Sequence, residues 1–301
     1  VGKPPELGTD VFAMDTGNGS STIPCFDSGF PVDFALMRQP ATTESWITGA
    51  RLTGPKFLQT NTNDAEGTQN DWVFDSNVGW IKGTDQDSDY QSWMWKRHAG
   101  FDVVAYKGNS GNPRHIPHSL SKTPEMIWTK NRDQADSWAV WHNGLTVTPL
   151  ANAYVLLDTT VAQDTADNHY GSVTPTLPTS THWTVGNNDR VNENGENYIA
   201  MLFASVDGIS KVGGFSGSSS SQTISLGFQP RFFLLKNIGA SESWPLHDSL
   251  RGFDNRLAID LTSAQSTSTG YVTPTASGVT LIGDSTSTNK SGYNYIYYAH
   301  A

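Results

Sequence analysis

Residues 124–142 read PEMIWTKNRDQADSWAVWH, and residues 230–248 read PRFFLLKNIGASESWPLHD, so one pattern occurs twice in the chain. A weaker copy, PVDFALMRQPATTESWITG, occupies residues 31–49. In each copy a proline precedes an apolar run, a polar turn follows, and a tryptophan begins the return run. Self-similarity at this scale is typical of a repeat architecture. The sequence therefore predicts three related units.

Two landmarks align the copies. The first is the spacing from proline to tryptophan, which is 15 residues for Pro31 to Trp46 and 14 residues for both Pro124 to Trp138 and Pro230 to Trp244. The second is the spacing from glycine to tyrosine, which is 12 residues for Gly186 to Tyr198 and for Gly283 to Tyr295, and 7 residues for Gly83 to Tyr90. The units keep a constant skeleton and differ in their loops. Their predicted bounds are 11–100, 101–208 and 209–301, after a linker of residues 1–10.

Short alternating apolar runs separated by Gly, Ser, Thr and Asn predict strands joined by polar turns. Each copy contains up to seven such runs, although the first copy has no clear equivalent of the fifth. We predict an all-β fold of three tandem antiparallel β-sandwich-like repeats, each of about 90–105 residues, packed together. One structure of three sectors with pseudo-threefold symmetry is the open alternative. Asp207 and Gly208 give a tight hairpin signal without a spacer, so adjacent repeats are expected to touch.

Charge and composition exclude several partners. The formal net charge is -10, with only 19 scattered Lys and Arg, which argues against nucleic acid and anionic membranes. No apolar run approaches the ~20 residues of a membrane-spanning helix, so membrane insertion is not expected. The start, VGKPPELGTD, lacks Met and a signal peptide, which indicates a fragment of a longer protein. The single Cys25 excludes an internal disulfide and is expected to be buried.

Tryptophans are the first candidates for binding. Trp46, Trp138 and Trp244 recur at one repeat position and are interpreted as core anchors, with a sugar-stacking platform as the alternative. The candidate binding residues are the tryptophans of the first repeat that do not recur: Trp72, Trp80, Trp93 and Trp95. Trp93 and Trp95 share one face of their strand because side chains alternate. That face is predicted to be core, a partner interface or a shelf for a glycan.

Metal and catalytic motifs are weak. Asp85, Asp87 and Asp89 alternate as at the start of a calcium loop, but Tyr90 and Lys96 stand where that loop needs Gly and Glu. A solvated acidic loop is therefore preferred, and no metal or cofactor is predicted. No GxSxG, HExxH or phosphate-binding glycine motif is present, and no acidic pair recurs among the copies. We expect a protein that is not an enzyme, with a carbohydrate-active, depolymerase-like enzyme as the alternative.

One resemblance adds context. The order FDVVAYKGN (101–109), IPHSL (116–120), PEMIWTKNRDQADSWAVWHNGL (124–145) and WTVGNNDRVNENGENYIAMLFASVDG (183–208) resembles a module of bacteriophage tail and appendage proteins, especially marine and cyanophage types. The likeness is closest over residues 101–217. It implies a virion structural protein or adhesin, such as a tail fibre, appendage or decoration protein. Such a protein is made in the host cytoplasm and released by lysis.

The resemblance also implies the partners. They would be other virion proteins or copies of the chain itself, and a glycan or envelope protein of the host surface reached by the variable loops. A purely architectural fibre subunit is the alternative. The resemblance supplies no catalytic residues.

Overall fold

A computed structural model describes residues 5–301, so residues 1–4 of the predicted linker lie outside the described range. Within that range the chain forms three 3-10 helices, Gly8–Asp10, Arg51–Thr53 and Leu150–Asn152, and one short α-helix, α1 (Asp189–Asn192). All other regular structure is strand, and the all-β prediction is confirmed.

The strands follow the three copies along the chain. Residues 11–100 form β1 (Phe12–Thr16), β2 (Phe26–Asp27), β3 (Phe34–Arg38), β4 (Ile47–Ala50), β5 (Lys56–Gln59), β6 (Gly67–Thr68), β7 (Gly79–Trp80) and β8 (Gln91–Trp95). Residues 101–208 form β9 (Phe101–Lys107), β10 (Arg114–Pro117), β11 (Met126–Asn131), β12 (Ala139–His142), β13 (Ala153–Leu156), β14 (Asp164–Thr165), β15 (His182–Val185) and β16 (Asn197–Phe203). Residues 209–301 form β17 (Ser210–Ser216), β18 (Gln222–Ser225), β19 (Phe232–Asn237), β20 (Pro245–Asp248), β21 (Asn255–Ala258), β22 (Ser266–Thr267), β23 (Val272–Thr275), β24 (Gly278–Leu281) and β25 (Asn294–His300).

The first copy does contain a fifth strand, β5, which the sequence did not reveal. Its text is KFLQ, followed by the polar run TNTNDAEG. Four residues are too few for a clear alternating pattern. The strand forms because it pairs with β4 and β6, so it is the neighbouring strands that reveal it.

All three repeats share one topology. The six-stranded sheets have the orders β1-β8-β3-β4-β5-β6, β9-β16-β11-β12-β13-β14 and β17-β25-β19-β20-β21-β22. In each repeat the last long strand pairs antiparallel with the first and the third strand. The remaining strands form a smaller sheet in each repeat: β2-β7, β10-β15 and β18-β24-β23. Each repeat is thus a two-layer antiparallel unit.

The cores explain why the central strands are buried on both faces. The outer face of each six-stranded sheet packs in a cluster confined to its own repeat. The inner faces of all three sheets meet in one common core, which includes Trp46, Trp138 and Trp244. Residues of β3, β8 and β11 are consequently buried without alternation. The three two-layer units therefore form one body around a shared centre.

The repeats follow each other through tight turns. The predicted hairpin at Asp207 and Gly208 is present, with a bridge between Val206 and Ser210 and a Gly208 φ of 72°. Within the second repeat, Gly108 lies where a Cβ atom would stand 1.8 Å from the carbonyl oxygen of Glu193. A side chain there would displace the loop before β16, which is why this position needs glycine.

Candidate functional site

The recurring tryptophans join the repeats into a closed ring. Each indole Nε1–H donates to a backbone carbonyl of another repeat: Trp46 to Ala258 at 2.8 Å, Trp138 to Gln59 at 2.8 Å and Trp244 to Leu156 at 3.0 Å. The three acceptors are the last residues of β21, β5 and β13, which are equivalent strands. The links run from the first repeat to the third, from the third to the second and from the second to the first. This cyclic order is pseudo-threefold symmetry within one chain.

A second ring of hydrogen bonds joins the same three pairs of repeats, with donor and acceptor exchanged between the two sides. Backbone N–H groups donate across the junctions from Glu66 to the carbonyl of Arg132 at 2.8 Å, from Gln163 to Ile238 at 3.1 Å and from Gln265 to Pro40 at 2.7 Å. In each repeat, one residue accepts the indole N–H of a neighbouring repeat through its backbone carbonyl. The backbone donor of the second ring comes seven residues later in the same repeat. The equivalence of the three junctions therefore extends beyond the core to the polar turns.

A buried cation lies beside each junction. Arg38, Lys130 and Lys236 occupy equivalent positions in β3, β11 and β19 and are at most 1% exposed. Backbone carbonyls satisfy these cations. Arg38 donates to the carbonyls of residues 261, 262 and 263 at 3.0–3.2 Å, and Lys236 Nζ donates to the carbonyl of residue 160 at 2.8 Å. Burial lowers the pKa of both lysines to about 8 and that of Arg38 to about 10.

A carboxylate or amide fixes the backbone at each recurring tryptophan. The side-chain oxygens of Asn61, Asp158 and Asp260 accept the backbone N–H of Trp46, Trp138 and Trp244 at 2.7, 3.0 and 2.9 Å. Burial raises the pKa of both aspartates. Buried polar groups with specified partners define one geometry, because a displaced partner would leave a polar atom unpaired. These groups hold each recurring tryptophan in one position within its own repeat.

The junction between the third and first repeats has an additional ion pair. Asp248 and Arg251 lie 2.7 Å apart with side chains 0% and 6% exposed. Asp248 Oδ2 also accepts from the indole of Trp93 at 3.1 Å, and the Arg251 guanidinium lies 5.7 Å from the Trp93 ring centroid. The first and last repeats are therefore locked together at the closure of the ring.

The polar turns lie at one end of this ring. We define the turn face as residues 39–45, 132–137 and 238–243, which connect the third and fourth strands of each repeat. Glu44, Asp136 and Glu242 are half-buried at equivalent positions within it. Its exposed residues include Thr42, Thr43, Asp133, Gln134, Gly239 and Ser241. The turn face is thus a polar surface with three similar but chemically distinct sectors.

Burial corrects the reading of Trp80, Trp93 and Trp95 as binding residues, since none is more than 1% exposed. Trp93 and Trp95 share one face of β8, and that face belongs to the common core. Trp80 packs in the outer core of the first repeat, 5.1 Å from the ring centroid of Phe74. Alternation placed Trp93 and Trp95 on one face, but the burial of that face depends on the other two repeats.

Trp72 is the remaining candidate and is half-buried at the surface of the first repeat. Its ring packs edge-to-face on Phe57 at 4.9 Å. The backbone N–H of Trp72 donates to the carbonyl three residues earlier and closes a tight turn. The backbone N–H groups of His169 and Tyr271 close the same kind of turn. All three stand 13 residues after the end of the fifth strand of their repeat. Trp72 therefore has an equivalent ring in each of the other repeats.

The three aspartates of the acidic loop lie at the surface. Asp85, Asp87 and Asp89 are exposed, and Asp87 Oδ1 accepts the backbone N–H of Asp89 at 3.0 Å. Among residues 5–301, no three His, Cys, Asp or Glu side chains are grouped to hold a metal ion.

Of the aligned anchors, Tyr198, Tyr295, Pro124 and Pro230 are buried, whereas Tyr90 and Pro31 are half-buried. Cys25 is buried, and its Sγ–H donates to the carbonyl of Gln86 at 2.9 Å.

A groove of about 400 Å³ lies on the second repeat. Its apolar walls include Trp141, Leu150 and Leu177. The polar groups of its rim are already engaged, since Lys122 Nζ donates to the carbonyl of Ser205 and Glu125 accepts the N–H of the same residue. The groove therefore offers apolar contact and few free hydrogen-bonding groups.

Sequence reasoning missed the buried cations and the aspartates beside them. A signal was available, because Arg38, Lys130 and Lys236 interrupt otherwise apolar strands at one aligned position. A charge that recurs inside a predicted strand indicates a buried polar contact that each copy needs. Arg38 and Lys236 donate to carbonyls of another repeat, so those contacts could not be read from the alignment.

The fold and its junctions define a class: an all-β protein in which three duplicated two-layer units close into a ring within one chain. Residues 16–301 match the family described as a domain of unknown function, DUF7483, and the chain belongs to this family. No curated protein matches the chain. Within residues 5–301, none of the helices has the length and apolar character needed to cross a membrane.

Proposed function

We propose that this chain is a non-enzymatic virion appendage protein, a tail fibre, appendage or decoration protein that attaches the particle to the host surface. The observation that carries the proposal is the closed ring, a rigid scaffold that displays different turns at equivalent places. Variable loops on a rigid scaffold are a common arrangement for recognition. The resemblance of residues 101–217 to phage appendage modules supports the same proposal.

The ring supplies threefold geometry without a trimer. One copy presents three similar sectors, and so it fits a threefold or sixfold viral structure as a cap or decoration. We expect light scattering to show a monomer of 32.7 kDa. A stable homotrimer of this chain would contradict the idea that one chain provides the symmetry.

The proposed partners follow from the surface chemistry. The polar turns and the net charge of -10 suit a host glycan, an envelope protein or another virion protein and disfavour nucleic acid. The proposed location is the virion, after synthesis in the host cytoplasm and release by lysis.

The test is a cryo-EM reconstruction of the native particle that carries this chain, combined with an adsorption assay. We expect the chain at a distal position with its turn face free, and we expect the purified chain to compete with particle adsorption to host cells. A turn face buried between subunits, together with unchanged adsorption, would make the protein architectural and overturn the attachment proposal.

A further inference from the structure

We infer that the end of the ring opposite the turn face is the surface by which this chain docks on another protein of the particle. We call this end the connector face, and it comprises the connectors between repeats (96–100 and 204–209), the chain ends (5–11 and 301) and the segments after β4, β12 and β20 (51–53, 143–144 and 249–251). The inference deepens the proposed attachment function and rests on it, because it assigns opposite roles to the two ends of the ring.

Strand direction places these segments at one end. The third strand of each repeat runs towards the turn face, and the last strand runs antiparallel to it. The first residue of the third strand therefore pairs with the end of the last strand, and the pairs are Phe34 with Trp95, Met126 with Phe203 and Phe232 with His300. The first strand of each repeat begins beside the same three residues. Both connectors and both chain ends thus lie opposite the turn face.

The two chain ends occupy the place of a third connector. In every repeat, the backbone N–H that follows the last strand donates to the carbonyl that precedes a first strand: Lys96 to Val11 at 2.9 Å, Ala204 to Gly100 at 2.9 Å and Ala301 to Ile209 at 2.8 Å. A Cβ atom on Gly8 would stand 2.5 Å from the carbonyl oxygen of Ala301, so the two ends adjoin. A segment joined to either end would leave the ring at the connector face, and the turn face points away from it.

Exposed leucines lie on the connector face in all three repeats. Leu52 and Leu250 are 50% and 46% exposed, and each comes two residues after the fourth strand of its repeat. The second repeat has Gly144 at this position, and its apolar groove, bounded by Asn143, contains Leu177 at 50% exposure. A single exposed leucine is common on protein surfaces, whereas apolar side chains in every sector of one end are typical of an interaction surface.

The turn face has the opposite chemistry. Within its segments, residues 39–45, 132–137 and 238–243, no large apolar side chain is exposed. The acidic loop also lies at this end, because Gln91, which follows it, pairs with Arg38 at the end of β3. One end of the ring is therefore polar and acidic, and the other is apolar.

The connector face suits a protein that presents apolar side chains. The polar groups on the rim of its groove, Lys122 and Glu125, are already engaged, so a sugar would find few free hydrogen-bonding groups there. Leucines in three separate sectors can be covered together only by a partner that spans the end of the ring. Apolar centres with polar surroundings are characteristic of protein–protein interfaces.

Hydroxyl-radical oxidation followed by mass spectrometry measures the accessibility of these leucines. The full chain is oxidised in the native particle and as purified protein at low and at high concentration. We expect oxidation of Leu52, Leu177 and Leu250 to fall at least about threefold in the particle relative to the dilute purified chain. Val161 and Leu261, 45% and 39% exposed, are matched controls near the turn face and should be oxidised equally in both samples.

A pair of matched variants tests the same face by incorporation into particles. A tagged chain with Leu52→Asp and Leu250→Asp, produced in infected host cells, should enter particles about tenfold less than the tagged original, because docking would bury two unpaired carboxylates. The tagged control with Val161→Asp and Leu261→Asp should enter particles as the original does. Calorimetry of both purified variants checks that they are folded.

Four results would overturn the docking face. They are unchanged oxidation of the three leucines in the particle, protection of Val161 and Leu261 in their place, equal incorporation of the two folded variants, and protection of the leucines in the concentrated purified chain. The last result would mean that a second copy covers this face.

Competition of the purified chain with particle adsorption separates this inference from the attachment function. Protected leucines without competition would support the docking face and contradict attachment. Competition together with unprotected leucines would leave attachment standing and overturn the docking face. Particles that lack the chain altogether would contradict both.

Discussion

Replacing Trp138 by alanine tests whether the three repeats unfold as one body. Trp138 is fully buried in the core shared by all repeats, and its indole donates to Gln59 of the first repeat. The substitution removes the largest side chain at that junction and leaves the Gln59 carbonyl without its donor. It therefore damages the second repeat and its link to the first together.

The structure gives the size of the effect. Truncation of a buried tryptophan to alanine lowers the free energy of unfolding by about 4 kcal/mol. With an unfolding entropy of about 2.1 cal/mol/K per residue, a cooperative unit of 301 residues would lose about 6 °C in Tm. If residues 101–208 unfolded alone, the same free energy would lower the Tm of that repeat by about 18 °C.

Differential scanning calorimetry distinguishes the two cases. We expect one transition, lowered by about 6 °C, with a ratio of calorimetric to van't Hoff enthalpy of about one. Trp46→Ala and Trp244→Ala should shift the same single transition, because they occupy equivalent positions. Val173→Ala is the control, since Val173 is 62% exposed and contributes little to the core. A split thermogram, with one part moved by about 18 °C, would refute the shared core.

Three further predictions concern buried groups. Burial lowers the pKa of six histidines: below its usual value for His118, to about 4 for His98, His142, His169 and His247, and to about 3 for His300. They stay neutral in the folded protein while the unfolded chain binds protons below about pH 6.5, so stability present above pH 6.5 is lost as the pH falls to about 4. Urea unfolding at several pH values should show this loss as a positive slope of the free energy of unfolding against pH. His142→Gln should lower that slope by about 1.4 kcal/mol per pH unit. An unchanged slope would mean that His142 is not neutral when folded. Arg251→Met should lower stability by about 3–5 kcal/mol because it isolates the buried Asp248, and adding Asp248→Asn should restore part of it; additive losses in chemical denaturation would contradict a coupled pair. Gly108→Ala should lower stability by about 1–3 kcal/mol, since its Cβ atom would stand 1.8 Å from the Glu193 oxygen, and an unchanged Tm would show that this loop yields freely.

Much of the skeleton was predictable because it depends on local chemistry. Alternating runs, turn residues and the proline-to-tryptophan spacing identified the long strands and the three copies. The hairpin at Asp207 and Gly208 was also predictable, because its turn needs no distant partner. The short strand β5 was missed, since its identity depends on pairing with β4 and β6 and not on its own four residues.

The candidate sites were less accessible to prediction. Trp93 and Trp95 were placed on the same face, yet only the packing of three sheets shows that this face is the common core. The junction between the first two repeats combines Trp138 with Gln59, which stand 79 residues apart in the chain. No single stretch of sequence contains that combination, so no local motif could reveal it.

By itself, the sequence determined that the chain is all-β, that it is built from three copies of one unit, and that its loops differ more than its strands. The tertiary structure decided that the copies close into a ring, that the tryptophans face one core, and that buried cations lie beside every junction. The physical reason is the range of the interactions. Strands and turns are set by neighbours along the chain, whereas ring closure depends on hydrogen bonds such as that from Trp46 to Ala258, which joins the first repeat to the third.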